Sequence, residues 1–170
     1  MMTGIYFLST KDFNVKDSID GKLLSLDADI KGINLVLFYS NECKYCDEVH
    51  NEFKKLPQHI FGCNFSMINL NQNPNVVSIS KTTLTPLNYV PELILYIDNL
   101  PYTKYEGDVK VSEIQSFVRE ISNNLENHSF TSTNSSVKEE KKIEITDEER
   151  PFSKKSKKVC YLQDGEYICS

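Results

Sequence analysis

No run of about 18 consecutive apolar residues occurs in the sequence, so no segment is expected to cross a membrane as a helix. A basic surplus is also lacking: 24 acidic residues outnumber 19 Lys and Arg, giving a net charge of −5. That balance provides no broad cationic surface, and nucleic acid is not expected as a partner of the folded part. The start, Met1 to Thr10, has no basic region and is too short for a secretory signal. The expected location is therefore the cytoplasm, a reducing compartment in which paired cysteines are more often catalytic than structural. Five cysteines, an odd count, exclude complete pairing within one chain. At 170 residues and 39% hydrophobic composition, the chain is sufficient for one packed domain with some chain left over, but not for two.

What is present centres on residues 35 to 56. Leu35 to Tyr39 is an unbroken apolar run that reads as a buried strand. Ser40, Asn41 and Glu42 form a polar elbow, after which Cys46, Val49, Phe53, Leu56 and Ile60 recur every three or four residues as one helix face. Cys43 and Cys46 thus stand as Cys-x-x-Cys at a strand-to-helix junction. Unpaired N–H groups and the positive end of the helix dipole would favour thiolate at Cys43, the form that attacks a disulfide. Cys46, one turn further on, could resolve the resulting mixed disulfide. A buried structural role suits Cys46 alone, and a zinc half-site would need a second pair of ligands.

Along the chain, Ile5 to Leu8 reads as a strand and Lys22 to Leu26 as an extended or loosely helical segment. Pro57 is placed to stop the first helix. Phe65 to Leu70 reads as a strand, Asn75 to Ser80 as a short helix, and Pro91 to Ile97 as a strand headed by a proline, with a cis Val90–Pro91 bond as one reason for that placement. Asp98 to Pro101 turns into a hairpin partner at Tyr102 to Glu106. A last helix takes Ser112 as N-cap and lays Ile114, Phe117, Val118, Ile121 and Leu125 on one face. Alternating strands and helices imply a layered sheet flanked by helices.

Residues 5 to 125 resemble a thioredoxin domain. The resemblance rests on Phe38 to Cys46, on Ile68 to Pro74, on Val90-Pro91 before an apolar strand, and on Tyr105-Glu106-Gly107 before the final helix. It implies an α/β thioredoxin fold with a central mixed sheet of four to five strands. It further implies a thiol–disulfide oxidoreductase with Cys43 as nucleophile and Cys46 as resolving cysteine, acting on protein disulfides and recycled by a thiol reductase or oxidase, with no cofactor and no metal. Pro91 would be cis and lie against the sulfurs, and Tyr45, Val90 and Pro91 would bind the substrate backbone. A narrower resemblance, to thioredoxin-like proteins of large DNA viruses, rests on Thr85 to Pro91 and on Val159 to Leu162; it implies the virion as another location. Three departures stand out: Glu42 replaces the usual Trp, Lys44-Tyr45 separates the cysteines, and Leu37 occupies the place of a buried aspartate. They motivate the alternative of a redox-inactive interaction module on the same fold.

His50 lies on the same side of the helix as the cysteines and reads as a solvated surface residue, and Cys63 as a small half-buried one. Residues 1 to 126 are expected to form the domain and 127 to 158 a flexible charged linker within a disordered C-terminal tail. Lys154 to Lys158 is a basic cluster, read as part of a solvated tether. Residues 159 to 170 carry Asp164-Gly165 between alternating runs, a hairpin signal that sets Cys160 opposite Cys169 in a non-hydrogen-bonded pair able to accept a disulfide. That pair is a candidate second redox couple, and the Tyr and Leu side chains around it a candidate docking tag.

Overall fold

The computed structural model describes residues 4–131 and 158–169. Its centre is a five-stranded mixed sheet in the order β1-β5-β4-β7-β8, built from β1 (Ile5–Phe7), β4 (Ile33–Tyr39), β5 (Asn64–Asn69), β7 (Glu92–Ile97) and β8 (Leu100–Tyr105). β1, β5 and β4 run parallel, and β7 and β8 are antiparallel to their neighbours. The central β4 is apolar at nearly every position because both of its faces are covered. Val36 and Phe38 enter one core with Ile94 and Tyr96, while Leu35 and Leu37 enter the other with Phe65, Met67, Leu93 and Leu95.

The second core is closed by Phe53 of α1 (Cys46–Phe53), Leu56 of α2 (Leu56–His59), and Ile114, Val118 and Ile121 of α4 (Val111–Thr131). Over the first core lie Val76 and Val77 of α3 (Pro74–Ser80) and a two-stranded hairpin of β2 (Phe13–Ser18) and β3 (Gly21–Leu26). The Tyr96 hydroxyl donates to the Leu24 carbonyl at 2.9 Å and ties the sheet to that hairpin.

Several boundaries differ from the sequence expectations. Residues 22 to 26 are fully strand, and their partner β2 has no alternating signal because only Phe13 of its six residues is buried. The first helix ends at Phe53, ahead of Pro57, which instead occupies the first turn of α2, where its missing N–H has no role. Ser112 lies inside α4, whose first residue is Val111, so it does not serve as the cap. The backbone of α4 continues to Thr131, past position 126. The expected linker from 132 onward, and the basic cluster except Lys158, lie outside the described residues.

The last residues form β9 (Cys160–Gln163) and β10 (Glu166–Cys169), with the register expected from the Asp164-Gly165 turn: Gln163 faces Glu166 and Cys160 faces Cys169. Asp164 and Gly165 both take positive φ, 51° and 82°, as a two-residue turn matched to strand twist requires. The hairpin does not stand alone. β9 pairs antiparallel with β6 (Tyr89–Val90) to make a separate three-stranded sheet.

Candidate active site

The elbow after β4 is shaped by backbone and side-chain hydrogen bonds rather than by helix. The Ser40 hydroxyl donates to Asn71 Oδ1, the Asn41 N–H donates to the same oxygen at 2.9 Å, and the Glu42 N–H donates to Ser40 Oγ at 3.1 Å. Two further turns follow: the Cys43 N–H donates to the Ser40 carbonyl and the Cys46 N–H to the Cys43 carbonyl. Helix α1 therefore begins at Cys46, not at Cys43, and the Cys43 N–H is already paired. The expectation that Cys-x-x-Cys opens the helix is corrected: Cys43 stands in the turn that precedes the helix, and Cys46 is the first helical residue.

Cys43 and Cys46 are both free thiols, and each is only 1% exposed. Burial pushes the Cys46 thiol well above its ordinary range; a hydrogen bond with the Cys43 sulfur adds to this, and a backbone hydrogen bond from Ser40 opposes it. Asp47 also raises it, through its charge. The Cys43 thiol donates to the Val90 carbonyl at 3.6 Å. Val90–Pro91 is the cis peptide bond of the described residues. Thus the nucleophile candidate, the resolving candidate and the proline-headed strand meet at one place. Tyr45 and Pro91 line the adjoining open cleft of about 790 Å³, with Tyr89 and Val159 on its wall. The Lys44 ammonium stands 4.9 Å from the centre of the Tyr45 ring.

The most consequential neighbours come from the far end of the chain. Cys160 and Cys169 are joined by a disulfide, and their sulfurs and that of Cys43 all lie within 4.8 Å of one another. Because the two tail sulfurs are bonded to each other, the trio offers no set of thiolate ligands for zinc. Cys160 is fully buried and belongs to the same core cluster as Cys43, Cys46 and Val90, with Leu162, Tyr167 and Cys169 packed against it. The Tyr167 phenol is raised, first by burial; it is hydrogen-bonded to Ser40, and the charges of Glu42, Cys46 and Cys43 act on it. This explains why Cys43 is buried although its own segment is polar.

A second set of contacts joins the tail to the main sheet. Glu92, next to Pro91, is 3% exposed and pairs with Lys104 of β8 at 2.6 Å. The same ammonium lies 5.9 Å from the Tyr89 ring centre, and Tyr89 meets Tyr161 edge-on at 6.0 Å. His50 packs edge-on against Tyr39, and burial lowers its pKa, so it favours the neutral form. Cys63 lies at the entrance of β5, away from this site, and burial pushes its thiol up to about 12.

Sequence reasoning missed Ser40, Asn71, Glu92, Lys104 and Tyr167. Asn71 follows a strand and Ser40 lies in the elbow, and their polar character is the sole signal of either. Glu92 carried a sharper one: a lone carboxylate at the head of an otherwise apolar strand.

A mixed five-stranded sheet, helices on both faces, and a dithiol at the strand-to-helix elbow facing a cis X-Pro strand entry define a dithiol-bearing α/β domain. The family model described as Thioredoxin matches residues 23–120, more than half of the chain, and the chain belongs to the thioredoxin family. Two viral relatives are similar to it. Uncharacterized protein 196R of Invertebrate iridescent virus 6 is 34% identical over 89 residues, covering 52% of this chain and 51% of that protein. Uncharacterized protein 020R of Invertebrate iridescent virus 3 is 23% identical over 121 residues, covering 68% and 70%. The chain thus spans about half the length of 196R in the region they share. Among solved structures, human ERp44 form II is similar in fold, with a TM-score of 0.52 at 16% identity over 71% of this chain and 30% of that one. No helix among the described residues is long and apolar enough to cross a membrane.

Proposed function

We propose that the protein is a thiol–disulfide oxidoreductase acting on protein disulfides through Cys43 and Cys46. The observation that carries this reading is the convergence of the Cys43 thiol on the Val90 carbonyl beside cis Pro91, with Cys46 hydrogen-bonded behind it. An extended substrate that takes the place of β9 along Tyr89 and Val90 would bring its disulfide to Cys43. The Cys43 thiolate attacks one substrate sulfur, and the other leaves as a thiol. Cys46 then loses its proton and attacks Cys43, releasing the reduced substrate and leaving Cys43–Cys46 oxidised. Burial keeps Cys46 protonated until that step. Tyr45, Val90 and Pro91 are the substrate-binding positions in this reading. Residues 1 to 126 are read as the catalytic domain, and the hairpin of the 159 to 170 segment as a cover docked on it through the pairing of β9 with β6. Its place of work is the cytoplasm or the virion, where a thiol reductase or oxidase recycles the pair.

The competing reading is a redox-inactive interaction module. Leu37 in place of a buried acid favours it, since no carboxylate then stands in the strand to accept the Cys46 proton. Insulin reduction by wild type and by Cys43→Ser separates the two. Turnover by wild type that falls at least a hundredfold in the variant supports the oxidoreductase; equal, negligible turnover in both leaves only the module.

A further inference from the structure

Taking the dithiol chemistry of Cys43 and Cys46 as its basis, we propose that the Cys160–Cys169 disulfide is an internal substrate of that dithiol, so that one chain passes an electron pair between its domain and its tail. Three observations converge on this. First, the three sulfurs lie within 4.8 Å of one another, so an approach of an ångström or two brings Cys43 to attacking distance. Second, β9 sits where an extended substrate would: Cys160 is in register with Val90, Tyr161 with Tyr89, and the Leu162 N–H donates to the Asn88 carbonyl at 3.0 Å. The strand beside cis Pro91 is therefore already paired, and its partner presents a disulfide to the thiol that bonds Val90. Third, the two tail sulfurs differ in surroundings: Cys160 is fully buried in the cluster that holds Cys43, whereas Cys169 is partly exposed. This asymmetry selects Cys160 as the attacked atom and Cys169 as the leaving group, which water can solvate.

The exchange balances without any outside reagent. The Cys43 thiolate bonds to Cys160 Sγ, the Cys160–Cys169 bond breaks, and Cys169 leaves as a thiolate that takes up a proton. Cys46 then gives up its proton and attacks Cys43, the Cys43–Cys160 bond breaks, and Cys160 is protonated in turn. The domain dithiol is oxidised to a disulfide, and the tail disulfide is reduced to two thiols. Docking of the tail makes the first step unimolecular, which gives it an advantage over a dissolved disulfide at micromolar concentration.

The test uses full-length wild type, Cys43→Ser and Cys43→Ala, each purified with the tail disulfide formed. Dithiothreitol is added, and the appearance of free Cys160 and Cys169 thiols is followed by quenched alkylation and mass spectrometry. The expected result is tail reduction at least tenfold slower in both variants, with a wild-type rate unchanged when the protein is diluted tenfold at fixed dithiothreitol. Rates that match between wild type and the variants, or a wild-type rate that falls on dilution, overturn the proposal. Insulin turnover measured on the same samples separates the two levels. Wild-type turnover with Cys43-independent tail reduction sinks the internal exchange alone; absence of both sinks the dithiol chemistry beneath it.

Discussion

Replacing Cys160 and Cys169 together by serine should uncover Cys43. The disulfide closes a short loop, the two cysteines being 9 positions apart. Loop-closure entropy for about ten residues amounts to about 2.7 kcal/mol at 25 °C. Opening that loop removes this constraint from the undocked tail and shifts the docked-to-undocked ratio by about a hundredfold. The hairpin is too short to hold its strands together in water unaided, so the loss falls on docking itself. Cys43 is 1% exposed with the tail in place. Its alkylation by iodoacetamide, which proceeds through the undocked form, should therefore accelerate by up to about a hundredfold in the double variant. Hydrogen exchange at the Leu162 amide, bonded to the Asn88 carbonyl in the docked state, reports tail release in the same sample. Two results would refute the reasoning: an unchanged Cys43 rate while Leu162 loses protection, or full retention of that protection.

Three further outcomes follow from the elbow. The Cys46 pKa is raised in the folded protein, first by burial and then by the Cys43 hydrogen bond, so resolution of a mixed disulfide on Cys43 should speed up about tenfold per pH unit from pH 6.5 to 8.5. A single-turnover assay with a flat profile over that range contradicts it. The same group holds its proton more tightly folded than unfolded, so it contributes stability below the ordinary cysteine pKa of 9.0, and that contribution is lost as pH rises beyond it. Asn71→Ala removes the acceptor of both the Ser40 hydroxyl and the Asn41 N–H. With Ser40 buried, the loss should be about 1–3 kcal/mol in urea denaturation; a change below about 0.5 kcal/mol means that the elbow is held by other contacts.

The parts of this fold that were legible in the sequence are those in which local pattern and tertiary environment agree. Leu35 to Tyr39 is apolar throughout because both sheet faces are buried, and Asp164-Gly165 fixes the tail register because its turn tolerates little else. β2 was not legible, since a strand exposed at five of its six positions carries no alternation to read. Neither was the break between α1 and α2, where the apolar spacing runs on through Lys54 and Lys55 as if the helix did. The site divides in the same way. Cys43, Cys46, Val90 and Pro91 are brought together as the spacing and the resemblance implied, whereas the cover of Tyr167 and Cys160 over Cys43 depends on segments far apart in the chain, and such contacts leave no periodicity behind.

The Lys104 ammonium belongs to two sheets at once: it neutralises Glu92 in the five-stranded one and faces the Tyr89 ring of the three-stranded one. Both partners of the ion pair lie in the larger sheet, so sliding the smaller sheet would leave that pair intact and draw the Tyr89 ring away from the ammonium. The ring that this edge-strand cation faces belongs to the strand whose next residue, Val90, stands opposite Cys160, so the tail disulfide is held two residues from a contact with the main sheet.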